Sequence, residues 1–152
     1  VQKFPNVRFV MAGSGDMMHK MILMAAKRKI ADRFYFTGFL KNPEVTELLR
    51  MSDVYIMPSV SEPFGISPLE AMQANVPVII SKQSGVAEVL THAFKVDYWD
   101  IDATADAIYG LLNYPALSQA FKKNGHNEVE KLKWENAALN VRKVYNLVLK
   151  TQ

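Results

Sequence analysis

The chain has 152 residues, 49% of them hydrophobic and 22% charged, with a formal net charge of +3. These are globular values with enough length for a full core, and one domain is the expected organisation. The positive excess is too small to argue for nucleic acid, the absence of cysteine excludes disulfide and thiol chemistry, and no run of about 18 apolar residues is available to span a membrane.

The first five residues, Val-Gln-Lys-Phe-Pro, lack the pattern of a signal peptide, and the start reads as an arbitrary cut. Residues 7–12 form the first predicted strand. Gly13-Ser14-Gly15-Asp16 follows, then a helix to about residue 31 with an apolar stripe at positions 18, 21, 22 and 25. A lone Gly-x-Gly suits a structural turn as well as a phosphate-binding loop. Met17, Met18, Met21 and Met24 are read as core filling. Residues 33–37 form the second strand, Gly38 to Lys41 the turn after it, and Asn42-Pro43 start a helix over 43–51. Phe39 and Leu40 fit hydrophobic anchors of that turn.

The third strand, 53–57, leads into Ser61-Glu62-Pro63-Phe64-Gly65-Ile66-Ser67-Pro68-Leu69-Glu70-Ala71-Met72. Ser67 as N-cap, Pro68 at the first helical position and Glu70 three residues after the cap predict a capping box. This stretch is strand, loop and helix start. The loop lies at the carboxyl end of a strand, where open α/β sheets bind ligands. Two carboxylates bracket backbone N–H groups, an arrangement suited to hydroxyls and phosphate together. The helix ends near Ala74-Asn75, with asparagine in a left-handed conformation. A fourth, wholly apolar strand covers 76–80, the loop 81–85 follows, and a short helix spans 86–90. A fifth strand lies within 91–97. Helices are predicted over about 102–113, 116–124 and 127–150, with Pro115 and Asn124-Gly125 as breaks. Trp134 and Tyr145 are read as core aromatics. His19, His92 and His126 have no ligand spacing, so no metal site is expected.

The motif Glu-Pro-Phe-Gly-Ile-Ser-Pro-Leu-Glu-Ala-Met resembles the donor-site motif of retaining glycosyltransferases of the group 1, family 4 type, which have the two-domain GT-B architecture. The likeness runs from residue 7 to about 145. It implies an α/β fold, a Rossmann-like doubly wound parallel sheet of about five strands with helices on both faces and a helical C-terminal segment. Residues 1–152 would be the nucleotide-sugar donor-binding domain, without the N-terminal acceptor domain and without the first strand of its own sheet. The resemblance places Glu62, as the catalytic residue, by the donor sugar, and Glu70 on the ribose hydroxyls. Phe64, Gly65, Ile66 and Ser67 would offer backbone N–H groups to the sugar and diphosphate. Gly13 and Gly15 would lie near the phosphates, and Leu40 by the nucleobase. It puts Trp134 and Tyr145 on a closing helix that packs back towards the absent domain.

The implied substrate is a nucleoside-diphosphate sugar. No cofactor and no metal are required. The implied partners are an acceptor glycan, lipid or small molecule held by the absent domain, with no nucleic acid. A cytoplasmic protein is expected, with peripheral membrane contact of the complete protein. The glycine-rich turn usual in the family near residues 91–97 is missing. A non-catalytic nucleotide-binding α/β module and a sugar-nucleotide epimerase of the same architecture are the alternatives. Lacking its first strand, the sheet is expected to close by direct hydrogen bonding of residues 7–12 to residues 53–57, in the order 2-1-3-4-5.

Overall fold

The computed structural model describes residues 4–150, with the Lys150 side chain left aside. The chain divides into two compact units, residues 1–45 and 46–152.

In the first unit, β1 (Phe9–Ala12) and β2 (Phe34–Gly38) pair in parallel, Phe9 opposite Phe34 and Met11 opposite Phe36. Phe9 stacks on Phe34 at 4.8 Å between ring centroids, as aromatic neighbours on one sheet face do. The connecting helix α1 (Met18–Lys27) is shorter than predicted. It stops because Lys29 takes φ 55°, and the N–H groups of Lys29 and Ile30 close on the carbonyls of Ala26 and Ala25. Only Ala25 of this helix is buried; of the methionines read as core filling, Met17 and Met24 are exposed and Met18 and Met21 are half-buried. Phe39, read as a hydrophobic anchor, is 78% exposed. Helix α2 (Asn42–Arg50) opens with the Glu44 carboxylate accepting from the Lys41 N–H at 2.7 Å.

In the second unit, β3 (Tyr55–Met57), β4 (Val78–Ser81) and β5 (Phe94–Val96) form a parallel sheet in the order β3-β4-β5. Ile79 packs with Val96 and with Ala107 and Leu111 of α5 (Ile101–Asn113), flanked by Phe94 and by Phe121 of α6 (Pro115–Val129). Side chains alternate along a strand, so Val78 and Ile80 point to the other face. Both are fully buried too, and β4 is therefore covered on both sides. Helix α3 (Ser67–Gln73) follows β3, and the short α4 (Val86–Val89) follows β4. The predicted left-handed asparagine is present: Asn75 has φ 59°, with the N–H groups of Asn75 and Val76 returning to the carbonyls of Met72 and Ala71.

Five parallel strands agree with the α/β class read from the sequence, but their pairing does not follow the prediction. No ladder joins β1 to β3 among the described residues; there are two sheets, β1-β2 and β3-β4-β5. The expected closure assumed that an open β1 edge would be a buried one. Val10 and Met11 are 45% and 38% exposed, so β1 is not the buried strand that this argument required.

Two further corrections concern the C-terminal helices. Asn124-Gly125 does not break α6. A Cβ on Gly125 would lie 3.3 Å from the Met72 Cε, so the residue is a point of close helix packing against α3, and the break falls at residues 130–133 instead. Trp134 and Tyr145 are not core aromatics. They lie on α7 (Trp134–Lys150) and are 88% and 66% exposed, and every described side chain of this helix faces solvent. Among the described residues no helix is long and apolar enough to cross a membrane.

The loop before β5 is fastened to α6 by one carboxylate. Glu128 accepts the N–H groups of Thr91 at 2.7 Å and His92 at 2.8 Å, with the His92 Nδ1 at 3.1 Å. Burial works against its charge, yet these donors outweigh it and hold the carboxyl below its ordinary 4.5. The folded value lies below the unfolded one, so the clamp stabilises fully above about pH 4.5 and is lost as pH falls through the folded value. Glu128→Gln is expected to lower stability by about 1.5–3 kcal/mol at neutral pH. That difference should shrink as pH falls through the folded value; urea titrations over a series of pH values downward from 7 check it.

Candidate functional site

The two predicted groups of site residues fall one in each unit. In the first unit, Gly13 and Leu40 lie in the loops after β1 and β2. Gly13 has φ 120°, a conformation that demands glycine, and its N–H donates to the Gly38 carbonyl at 2.8 Å. The two loops at the carboxyl ends of these strands are thus tied together. Gly15 is exposed, with open space where a Cβ would stand, and its carbonyl accepts the Met18 N–H. Leu40 is half-buried.

In the second unit the site is built on β3. Tyr55 and Met57 are two residues apart and share one face of the strand. The chain then passes through Glu62 to Gly65, which has φ 91°. A Cβ on Gly65 would stand 2.9 Å from the Met57 Cε and 3.2 Å from the Glu62 Cγ, so the turn is closed against both neighbours and takes glycine alone. Helix α3 begins two residues later.

The predicted capping box does not form. The residue before the helix is Ile66, already helical at φ −78° and ψ −33°, with no side-chain cap. The Ile66 carbonyl takes the N–H groups of Leu69 and Glu70. The Ser67 hydroxyl is engaged elsewhere, accepting the Tyr55 O–H at 2.7 Å. A largely buried phenol needs a partner, and that need outcompetes the cap. Two consequences bear on the site. Glu70 is released from any capping duty and stands exposed on the first turn. The N–H groups of Phe64, Gly65 and Ile66 meet no backbone acceptor among the described residues.

Tyr55 also reports on the carboxylates. Burial pushes its phenol above the ordinary value of 10.0; the charges of Glu70 and Glu62 push the same way, against the hydrogen bond to Ser67. The two glutamates, seven residues between them, thus both act on the phenol of the residue that opens β3. The sequence reading missed Tyr55. Its signal was the period-two spacing to Met57 on the strand that enters the motif.

The loop after β4 supports this turn from the side. Glu62 and Ser84 form a parallel bridge; the Gly85 N–H donates to the Glu62 carbonyl at 2.9 Å, and the Val86 N–H to the Phe64 carbonyl at 2.7 Å. Ser84 is buried, its hydroxyl donating to the Ser81 carbonyl at 2.7 Å. Farther along, Asp97 after β5 receives Lys82 at 2.8 Å and Gln83 at 2.9 Å, and these two donors hold its carboxyl below the usual range. Three successive strand-end loops are thereby joined in a row. The sequence marked residues 81–85 only as a loop at a strand end.

Parallel strands whose carboxyl ends carry glycine turns, uncommitted backbone donors and paired carboxylates place the candidate site where open α/β sheets bind ligands. The family model described as glycosyl transferases group 1 matches residues 1–128, and the chain belongs to that family. It is 31% identical over 149 residues to an uncharacterized glycosyltransferase of Methanocaldococcus jannaschii, covering 95% of this chain and 38% of that one. Among solved structures it superposes on sucrose-phosphate synthase from Thermosynechococcus elongatus with a TM-score of 0.81 at 25% identity, over 99% of this chain and 40% of that one. It superposes on Anabaena HepE in complex with UDP-glucose with a TM-score of 0.79 at 19% identity, over 95% and 41% of the two chains, a likeness of fold. The chain thus spans about two fifths of the length of these relatives.

Proposed function

We propose that this chain is the donor-binding half of a retaining glycosyltransferase, which moves a sugar from a nucleoside-diphosphate sugar to an acceptor hydroxyl. The observation that carries this reading is the turn after β3, where Gly65 closes against Glu62 and the N–H groups of Phe64, Gly65 and Ile66 meet no backbone acceptor among the described residues, just ahead of the helix that carries Glu70. Glu70, exposed and free of capping, is suited to accept two charge-assisted hydrogen bonds from the ribose diol. Glu62 is set for the donor sugar. The open N–H groups of Phe64, Gly65 and Ile66, with that of Ser67, are suited to sugar hydroxyls and diphosphate. The HepE structure with UDP-glucose supports a sugar nucleotide as the ligand of such a fold.

In the reaction the bond from the anomeric carbon to the diphosphate oxygen breaks, and its electrons leave with the diphosphate. Fixed amide donors aimed at that oxygen favour the charge as it develops. Retention follows either from Glu62 acting as a covalent nucleophile or from attack on the face the diphosphate is leaving. The remaining part of the protein supplies the acceptor, a glycan, a lipid or a small molecule. The setting is cytoplasmic, with peripheral membrane contact for a lipid acceptor. Neither a cofactor nor a metal enters this scheme.

The test uses the full-length protein. Titration calorimetry with UDP, ADP and GDP and their sugars is expected to show binding of one nucleotide series. Transfer from that donor should persist after exhaustive chelation. Absolute dependence on a divalent ion, or failure of every nucleotide to bind, counts against the reading. Interconversion of two sugar nucleotides without any acceptor would favour an epimerase.

A further inference from the structure

Gly85 has ordinary helical dihedrals, φ −60° and ψ −32°, which any residue adopts. Backbone freedom therefore does not explain a glycine here. Space does. A Cβ at this position would stand 2.0 Å from the Pro63 carbonyl oxygen, 2.9 Å from the Pro63 carbonyl carbon and 3.2 Å from the Phe64 Cα. All three are backbone atoms, which cannot swing aside as a flexible side chain can. Both faces of the contact are polar and matched: Gly85 N–H to Glu62 carbonyl at 2.9 Å, Val86 N–H to Phe64 carbonyl at 2.7 Å. The donor side is itself fixed. Ser84 is buried and bonded to the Ser81 carbonyl, and Ser81, fully buried, is the last residue of β4.

We infer that Gly85 is a positioning residue for Glu62: the loop after β4 seats itself against the backbone of residues 62–64 and sets where the Glu62 carboxylate stands, a role open only to a residue without a side chain. This rests on the donor-site reading given above. Glu70 does not share the dependence. It is carried by α3, which is held by its own packing: Ala71 and Met72 are buried, Met72 lies against Gly125 of α6, and Asn75 closes the helix. A side chain at 85 should therefore move the glutamate assigned to the sugar and leave in place the one assigned to the ribose.

The discriminating quantity is the ratio of two dissociation constants, that of a nucleoside diphosphate to that of its sugar conjugate, measured by calorimetry on the full-length protein. The probes are the matched pairs UDP and UDP-glucose, ADP and ADP-glucose, and GDP and GDP-mannose; the pair that binds is used. In Gly85→Ala the ratio is expected to fall about tenfold or more, the worth of one charge-assisted hydrogen bond, while the diphosphate alone binds within about twofold of wild type. Glu62→Gln should lower the ratio similarly, and the double variant should lower it no further, because both changes remove one contact.

Equal weakening of diphosphate and conjugate by Gly85→Ala, together with a lowered Tm, would make the glycine merely structural and overturn the inference. An unchanged ratio in Gly85→Ala beside a shifted one in Glu62→Gln would overturn it as well, leaving the donor-site reading intact. An unchanged ratio in Glu62→Gln would remove that reading and the inference with it. If Gly85→Ala does not fold, Ser84→Ala loosens the same loop without a clash. It should shift the ratio in the same direction by a smaller factor, and no shift there also overturns the inference.

Discussion

In the full-length protein, Glu62→Gln is expected to cut the rate of sugar transfer by about a hundredfold or more while leaving nucleoside-diphosphate affinity within about twofold; Glu70→Gln is expected to weaken that affinity by about tenfold or more. The two glutamates hang from different supports. Glu62 sits in the loop clamped by Gly85 and Val86, and Glu70 on the first turn of α3. Since Ser67 is bound to Tyr55 and forms no cap, Glu70→Gln removes no capping bond and the Tm should hardly move. Calorimetry gives the affinities and a radiolabelled-donor assay the rates. Loss of nucleotide affinity in Glu62→Gln and not in Glu70→Gln would reverse the assignment.

The largest effect on stability is expected at Ile79. It lies in the middle strand of the β3-β4-β5 sheet, fully buried, and joins Val96 to the α5 residues Ala107 and Leu111. Truncation to alanine removes apolar contact and leaves a cavity among side chains fixed on strand and helix, at a cost of about 2–5 kcal/mol. For a unit of this size that corresponds to a drop of roughly 10–30 °C in Tm. A chemical denaturation series should show a lower midpoint with an unchanged slope. A loss below about 1 kcal/mol would mean that the core cluster is not as packed as it stands here.

Much of this molecule was legible in its sequence, for identifiable reasons. The run at 76–80 is apolar on both faces, which only a central parallel strand requires, and β4 is buried on both faces. Asn75 signalled a left-handed helix end by being one of the few residues that tolerate it. What could not be read were matters of competition and of tertiary contact. Ser67 satisfies the rule for an N-cap, and only the fold shows that Tyr55 claims its oxygen first. Gly125 looks like a break because glycine usually is one, and the Met72 side chain it accommodates is more than 50 residues away. Gly85 carried no local sign at all, since its reason is the Pro63 carbonyl on another loop. The expected pairing of residues 7–12 with 53–57 failed on a premise about solvent, which a sequence does not contain. The motif glutamates could be singled out because their spacing is local. The bond from Tyr55 to Ser67 could not, because it depends on where α3 comes to lie.

Helix α7 has one more consequence. It is a 17-residue helix whose described side chains all face water, Trp134 and Tyr145 among them. Helices of this length hold only marginally by their own hydrogen bonds, and most helices in proteins persist because a face is packed. Residues such as Ile79 and Ile80 unfold only when the core does. Their hydrogen-exchange protection is tied to the global free energy, whereas the amides of α7 answer to a helix–coil equilibrium of their own. A denaturation series read by core probes therefore follows the core transition, and the fraying of this helix is read separately by its own amides.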